Sequence, residues 1–279
     1  MNRDDIPGLP VPLSGRTRIY AILGDPIAQV GSPRLFNSEF RRRQTEAVLV
    51  PMHVGSADLA ALLASFRAVR NFDGLVVTVP HKIDIAAMVD EVGPMARRIG
   101  AVNAIRKNET GRLIGDNFDG AGFIQGVAKH GHGLRDRNVL VIGAGGAGRA
   151  VAHAIVDEQP ASMGVFDVDT ERSRALAAEL APFGPARQTE TSSAAGFDVV
   201  VNCTSIGMHP EDPLPCSLEG FADGGLIVDI VLKPPRTKLL DQGAQRGCST
   251  VEGVHMLEGQ ISAICDFFAI AQPASDAHA

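Results

Sequence analysis

Tryptophan is absent from this 279-residue chain, tyrosine occurs once, and aromatic residues amount to only 5%. So few rings leave little with which to stack nucleic-acid bases. Blocks of like charge are missing too: the formal net charge of −6 is spread over interspersed groups. The one basic cluster, Arg41–Arg43, is short and is expected on the solvated face of a helix. These absences argue against a nucleic acid or a membrane surface as partner and leave a small molecule as the natural one. Cys203, Cys216, Cys248 and Cys265 form no C-x-x-C pair and keep no zinc-like spacing to histidine. Structural thiols in a reducing compartment are expected, with neither disulfides nor a metal. No apolar run is long enough to cross a membrane, and the opening MNRDDIPGLP is acidic and proline-rich rather than leader-like. A cytoplasmic protein is the expectation, with a frayed tail from Gln272 onward.

The chain does have 30 glycines, 17 prolines and a 45% hydrophobic content. At this length that suffices for one large or two medium domains with substantial cores. In the first half the strand-like runs "IYAILG", "AVLVPMHV" and "GLVVTVP" alternate with helical periodicity, as in "ADLAALLASFRAVR". "AVNAIRK" and "GRLIGD" flank Asn-Glu-Thr-Gly, which predicts a hairpin. The alternation favours a mostly parallel sheet with an antiparallel edge. The second half runs through "NVLVIGAGGAGRAVAHAIV", "SMGVFDVDTERSRALAAEL", "FDVVVNCTSIGM" and "GGLIVDIVLKP". Its strands are short and wholly apolar, as expected when helices cover both faces of a sheet. An apolar helix, "HMLEGQISAICDFFAI", is expected to pack back onto the first half.

Within "VLVIGAGGAGRA", Gly143, Gly145 and Gly148 stand in the G-x-G-x-x-G register, after a strand and before a helix. The first glycine permits the tight turn, the second lets backbone amides reach a pyrophosphate, and the third allows close helix–strand packing. Ala144, Gly146 and Ala147 complete the loop. A bare match of this kind is weak, but here it opens a β-α-β unit and an acid, Asp167, ends the next strand. A carboxylate there accepts hydrogen bonds from the adenosine ribose hydroxyls and repels the roughly −2 charge of a 2′-phosphate. Asp167 therefore favours NAD, with NADP kept open because Arg172, five residues on, is a cation that could reach a phosphate. Asp169 and Thr170 read as caps for the helix that follows.

In the first half, Ser32–Pro33 of "GDPIAQVGSPRLFN" reads as a helix start, with the hydroxyl as cap. "VVTVPHK" offers Thr78, His81 and Lys82, "AVNAIRK" offers Asn103, and "GDNFDGAGF" offers Asp119 before a helix. Singly, each has an ordinary structural reading: a strand-end threonine, a helix-start histidine, a surface lysine, an N-cap aspartate. Their order is more specific. "GDPIAQVGSP", "VTVPHK", "AVNAI", "GDNFDG", "GAGGAGRA", "VNCTSIGM" and "EGVHMLEGQ" succeed one another over residues 18–270. That succession resembles the shikimate and quinate/shikimate dehydrogenase family.

The resemblance implies an α/β chain with an N-terminal α/β substrate domain, a Rossmann-type doubly wound parallel-sheet domain, and a cleft between them. The substrate and catalytic domain is taken as residues 1–119 completed by a C-terminal segment 254–279, and the NAD(P) domain as 120–253. Position by position, Lys82 and Asp119 match the family's catalytic pair: a lysine to exchange the hydroxyl proton, an aspartate to orient it and share the proton. Ser32, Thr78, Asn103 and Gln260 are implied to bind the substrate. Thr204, Gly253 and Met256 are implied near the ribose–nicotinamide end; their plainer readings are a strand-end threonine, a turn glycine and a core methionine, and those carry most weight for Thr204 and Met256.

Two positions depart from the family pattern. Where the family carries Ser-x-Ser or Ser-x-Thr to hold the substrate carboxylate, Val30 fills the first position and only Ser32 matches. Leu232 replaces a tyrosine of the family's Tyr-Asp-x-x-Tyr stretch. The expected function is hydride transfer between NAD(P) and a ring hydroxyl of a shikimate- or quinate-like cyclic acid, by a monomer or homodimer. The alternatives are a related dehydrogenase for a substrate lacking that carboxylate and a catalytically idle NAD-binding sensor. Bifunctional folate dehydrogenases share the broad architecture, but the motifs favour the shikimate group. Retention of both Lys82 and Asp119 speaks against the sensor.

Overall fold

The computed structural model describes residues 13–271, so the opening MNRDDIPGLP and the tail from Gln272 lie outside the described residues. The chain forms two compact units, one running to Phe118 and resuming at Ile261, the other spanning Asp119–Gln260.

The first unit is built on β1 (Arg18–Gly24), β2 (Ala47–His53), β3 (Phe72–Val77), β4 (Glu91–Val92), β5 (Ala104–Lys107) and β6 (Leu113–Asp116). Its sheet order is β2-β1-β3-β5-β6-β4. Helices α1 (Ser32–Arg42) and α2 (Leu59–Ala68) connect the parallel strands β1, β2 and β3, and the short α3 (Pro94–Ile99) follows β4. The hairpin β5–β6 forms where Asn-Glu-Thr-Gly demanded it. Asn108 Oδ1 accepts from the Thr110 and Arg112 amides, and Gly111 takes the left-handed conformation at φ 79° that the turn requires. The antiparallel strand is not at the edge, however. β5 runs against both neighbours inside the sheet, and β4 covers the outside parallel to β6. Glu91–Val92 is too short and too polar to be read as a strand.

The second unit contains β7 (Asn138–Ile142), β8 (Ser162–Phe166), β9 (Ala186–Gln188), β10 (Val199–Asn202), β11 (Leu226–Asp229) and β12 (Ser249–Glu252). Every pairing is parallel, and the order is β12-β11-β10-β7-β8-β9. This is the doubly wound dinucleotide arrangement, with its reversal of strand order between β7 and β10. The helices are α4 (Asp119–Lys129), α5 (Gly146–Asp157), α6 (Thr170–Leu180), α7 (Lys238–Gln245) and the first turns of α8 (Gly253–Phe267). The central strands β10 and β11 are buried along their whole length, which is why they read as unbroken apolar runs.

The division differs from the expected one. Asp119 belongs with the second unit because α4, which it opens, packs there: Phe123 and Val127 join its core, and Gly120 lies against the Ala150 carbonyl. The C-terminal return begins at Ile261 rather than 254, since the first turns of α8 pack on α4 through Gly122, Gly126 and Gly259. Ile261, Ile264, Cys265 and Phe268 then join Tyr20, Phe36 and Phe40 in the first unit's core, as the apolar run foretold.

The basic cluster is also corrected. Arg41 and Arg42 are exposed, but Arg43 has a wholly buried side chain, paired with Glu39 and Asp266 at 2.7 Å and donating to the Ile270 carbonyl. Those partners neutralise it, so burial is tolerated. No helix among the described residues is long and apolar enough to cross a membrane.

Candidate active site

In the first unit the order of strands reverses around β1, with β2 on one side and β3 on the other. Ligands in open α/β sheets bind beyond the carboxyl ends of the strands at such a point. Gly24 and Thr78 meet there. The Thr78 amide donates to the Leu23 carbonyl at 2.9 Å, and a Cβ on Gly24 would stand 2.6 Å from Thr78 Cγ2. Glycine is thus what lets the two strand ends approach. His81 is wholly buried, with Nε2 at 2.7 Å from the Val54 carbonyl and Nδ1 at 3.4 Å from Ser56 Oγ. It is a wired core residue, and its carbonyl also accepts from the Ile85 amide at 3.0 Å at the entry to the helical turn that follows. Lys82 follows directly, half-buried, and its carbonyl accepts from the Val102 amide at 2.8 Å. Val79 and Ile83, on either side, are exposed apolar residues.

Asn103 is buried, and its Oδ1 accepts from the Phe118 amide at 2.9 Å. Ser32 is placed differently from its cap reading. Gly31 occupies the N-cap in a helical conformation with no side-chain capping bond, and Ser32 is buried in the first turn of α1. Val30 is packed against the apolar cluster of Tyr20, Ile22, Phe36 and Phe40. An apolar residue at this position thus has an apolar setting.

In the second unit Gly143 adopts φ 100°, and its amide bonds the Phe166 carbonyl at 2.7 Å. A Cβ at Gly148 would stand 1.8 Å from the Gly143 carbonyl oxygen, so the third glycine is obligatory for helix–strand contact. Cβ atoms at Gly145 or Gly146 would meet nothing within 4 Å. Gly145 stands at the N-cap of α5 and makes no side-chain bond to the amides of this helix start. Open space over such amides is the cradle a pyrophosphate needs. Asp167 follows β8, its Oδ2 accepting from the Ala144 amide at 2.6 Å and its Oδ1 from the Asp169 amide at 2.9 Å. Asp169 caps α6, as read from sequence, through the Glu171 and Arg172 amides. The Arg172 guanidinium lies 3.1 Å from Asp169 on an exposed surface. These residues fit a dinucleotide.

Asp119 is buried, only 3% exposed, at the start of α4, and Gln260 is buried on α8. A Cβ on Gly122 would lie 2.8 Å from Gln260 Cβ and 2.5 Å from the Met256 carbonyl, so α4 and α8 touch backbone to backbone. Met256 itself packs against the second unit's core, in keeping with its plainer reading. Gly253 has backbone atoms of Ile230 and Val231 within 2.6 Å of a Cβ and admits no other residue without a shift.

Sequence reasoning assigned nothing to Asn202 and Asp229, which end β10 and β11 fully buried. Asn202 donates to Asp229 Oδ1 at 3.0 Å and accepts from Thr204 Oγ1 at 2.7 Å, while Thr237 Oγ1 donates to Asp229 Oδ2 at 2.7 Å. Burial raises the Asp229 carboxyl above its usual range, against the opposing bonds from Thr237, Val231 and Asn202. This network shapes the loop that carries Thr204. A polar residue ending each of two neighbouring apolar runs was the available signal. Among the described residues there is no cluster of three potential metal ligands, and the four cysteines are free.

A family model described as the shikimate dehydrogenase substrate binding domain matches residues 22–105, and one described as shikimate / quinate 5-dehydrogenase matches residues 126–209. Shikimate dehydrogenase (NADP(+)) of Rhodospirillum rubrum is 36% identical over 257 residues, covering 88% of this chain and 89% of that one. The chain belongs to the shikimate dehydrogenase family. Among solved structures, quinate dehydrogenase from Corynebacterium glutamicum in complex with NAD is 26% identical with a TM-score of 0.80, covering 92% of this chain and 95% of its own. Ligand-free 5-ketofructose reductase of a Gluconobacter strain is 25% identical with a TM-score of 0.82, covering 94% and 96%. As a family member, the chain is a hydride-transferring oxidoreductase that uses a nicotinamide dinucleotide.

Proposed function

We propose that this chain is an NAD-preferring dehydrogenase that interconverts a ring hydroxyl and ketone of a shikimate- or quinate-like cyclic hydroxy acid. The observation that carries the cofactor preference is Asp167, a carboxylate following β8 beside the glycine turn. A 2′-phosphate there meets like charge, and the nearby cation, Arg172, is paired with Asp169. The Rhodospirillum relative is named for NADP(+), whereas the Corynebacterium structure was solved with NAD. Both dinucleotides thus occur among the relatives, and the reading for this chain rests on Asp167.

When bound, the nicotinamide dinucleotide supplies the hydride acceptor or donor. Lys82 Nζ takes the hydroxyl proton during oxidation and returns one to the carbonyl oxygen during reduction, with Asp119 orienting it and sharing the proton. Thr78, Asn103, Gln260 and Ser32 hydrogen-bond the ring substituents. Gly143, Ala144, Gly145, Gly146 and Ala147 line the pyrophosphate turn, and Thr204, Gly253 and Met256 bound the nicotinamide end. We place the enzyme in the cytoplasm, as a monomer or homodimer; free thiols suit a reducing compartment.

A second reading of the substrate is favoured by Val30 and its apolar neighbours. It is a polyhydroxylated ketone without a carboxylate, the type of compound that the name of the Gluconobacter structure indicates. Turnover of shikimate, quinate and an uncharged polyhydroxy ketone, compared at equal concentration, separates the two. Preference for either acid supports the first reading, and preference for the uncharged ketone the second. Tight dinucleotide binding with no turnover of any would leave only the idle sensor.

A further inference from the structure

We propose that Asp167 is a positioning residue for the glycine-rich turn, holding the Ala144 amide in place before any dinucleotide arrives. The inference rests on the reading of Asp167 as the cofactor-selecting acid and adds a task that selection alone does not require.

Two consecutive bonds tie the turn after β7 to the end of β8. The Gly143 amide donates to the Phe166 carbonyl at 2.7 Å, and the Ala144 amide donates to Asp167 Oδ2 at 2.6 Å. The first is backbone to backbone and survives any side-chain change. The second depends wholly on the carboxylate. Ala144 is buried, so its amide without Asp167 is a donor poorly reached by water. The residues on either side are Gly143, at φ 100°, and Gly145, and neither has a side chain to stiffen the turn. The other oxygen, Oδ1, accepts from the Asp169 amide at 2.9 Å, and Asp169 in turn caps α6. One carboxylate thus orders the turn on one side and the helix start on the other.

A carboxylate offers about four acceptor positions. Two backbone amides leave two, enough for the ribose hydroxyls, so tethering and recognition coexist in the same group. The neutral replacements used to admit a 2′-phosphate break this arrangement. Asparagine keeps one acceptor oxygen for two amides, and serine is too short to reach either in the same way. Removing the charge therefore loosens the pyrophosphate turn that NAD and NADP share. The exchange yields an enzyme weakened toward both dinucleotides rather than one switched between them.

The test uses the full-length protein without cofactor. Hydrogen exchange at the Ala144 amide is followed by NMR in the wild type, Asp167→Asn and Asp167→Ser. Dissociation constants are measured in parallel for NAD, NADP and an NAD analogue whose adenosine ribose lacks both hydroxyls. Exchange at Ala144 is expected to quicken about tenfold in Asp167→Ser, with affinity for the hydroxyl-free analogue falling about tenfold, the effect of one buried hydrogen bond. Asp167→Asn should fall between, and it carries the test if the serine variant does not fold. Unchanged exchange and unchanged analogue affinity, with NAD alone weakened, would overturn the tether and leave the selectivity reading intact. A wild type that prefers NADP would overturn selectivity, while quickened Ala144 exchange in the variants would still establish the tether.

Discussion

The ring of His81 bonds the Val54 carbonyl at 2.7 Å, and the Val54 amide bonds the Gly24 carbonyl at 3.3 Å. The residue before Lys82 is thereby pinned, through the end of β2, to the end of β1. The Lys82 carbonyl is held separately by Val102. The lysine's backbone is fixed from both sides.

Replacing His81 should act through Lys82. His81→Ala removes a buried ring and strands the Val54 carbonyl, for a loss of about 2–4 kcal/mol in stability. The same variant should lower kcat more than it raises KM, because the misplaced group is the one proposed to carry the proton rather than to bind substrate. Thermal unfolding and steady-state kinetics on one preparation check both. A drop in stability with kcat unchanged would make His81 a packing residue only.

Lys82→Ala should reduce kcat by roughly 10²–10⁴, the usual contribution of a positioned acid/base. NAD affinity should barely change, since the pyrophosphate turn is made by other residues. Asp119→Asn should also lose turnover, and the double variant should lose less than the product of the two single losses. Strict additivity would separate the two residues' roles.

Val30→Ser places a hydroxyl at the position where the family pattern implies one. A charge-assisted bond to a carboxylate is worth about 1.5–3 kcal/mol. Allowing for repacking beside Phe36 and Phe40, KM for shikimate should fall about tenfold, with Leu232→Tyr adding to the gain. An unmodified enzyme that already binds shikimate tightly and is unimproved by Val30→Ser would show that another donor has taken over.

Burial pushes the Cys216 and Cys265 thiols up to about 12. Cys203 is raised as well, by burial and then by Asp229, and Cys248 by burial against the lowering effect of Arg246. Raised thiols form thiolate only at higher pH, and the thiolate is the reactive species. In mildly alkaline buffer Cys216 and Cys265 should react with a disulfide reagent about a thousandfold more slowly than free cysteine. All four should become titratable on denaturation. Rapid modification of Cys216 or Cys265 in the folded protein would contradict their burial.

The glycine turn, Asp167 and the cap Asp169 were legible because each obeys a local rule: a required backbone conformation, a strand-end acid, a helix start. The long apolar strands were legible for the same reason, each carrying its own pattern of burial. Short or polar elements were not. Glu91–Val92 and Ser249–Glu252 become strands only because a neighbour pairs with them. Arg43 looked like surface because its partners, Asp266 and Ile270, lie more than two hundred positions away. Ser32 shows the limit of a local rule: Ser-Pro announces a helix start, but the backbone placed Gly31 in the capping position. Which of several polar strand ends would form the Asn202–Asp229–Thr237 network likewise depended on strand order, which no single segment records.

The central claim is NAD-dependent oxidation of a ring hydroxyl with Lys82 as proton carrier. Its most direct test is kcat/KM for shikimate and quinate with NAD and NADP in parallel, in the wild type and in Lys82→Ala. The account predicts turnover of at least one of these acids, faster with NAD, and near loss of turnover in the variant with NAD binding retained. A preference for NADP of about tenfold or more, some 1.4 kcal/mol, or undiminished turnover in Lys82→Ala, would contradict it.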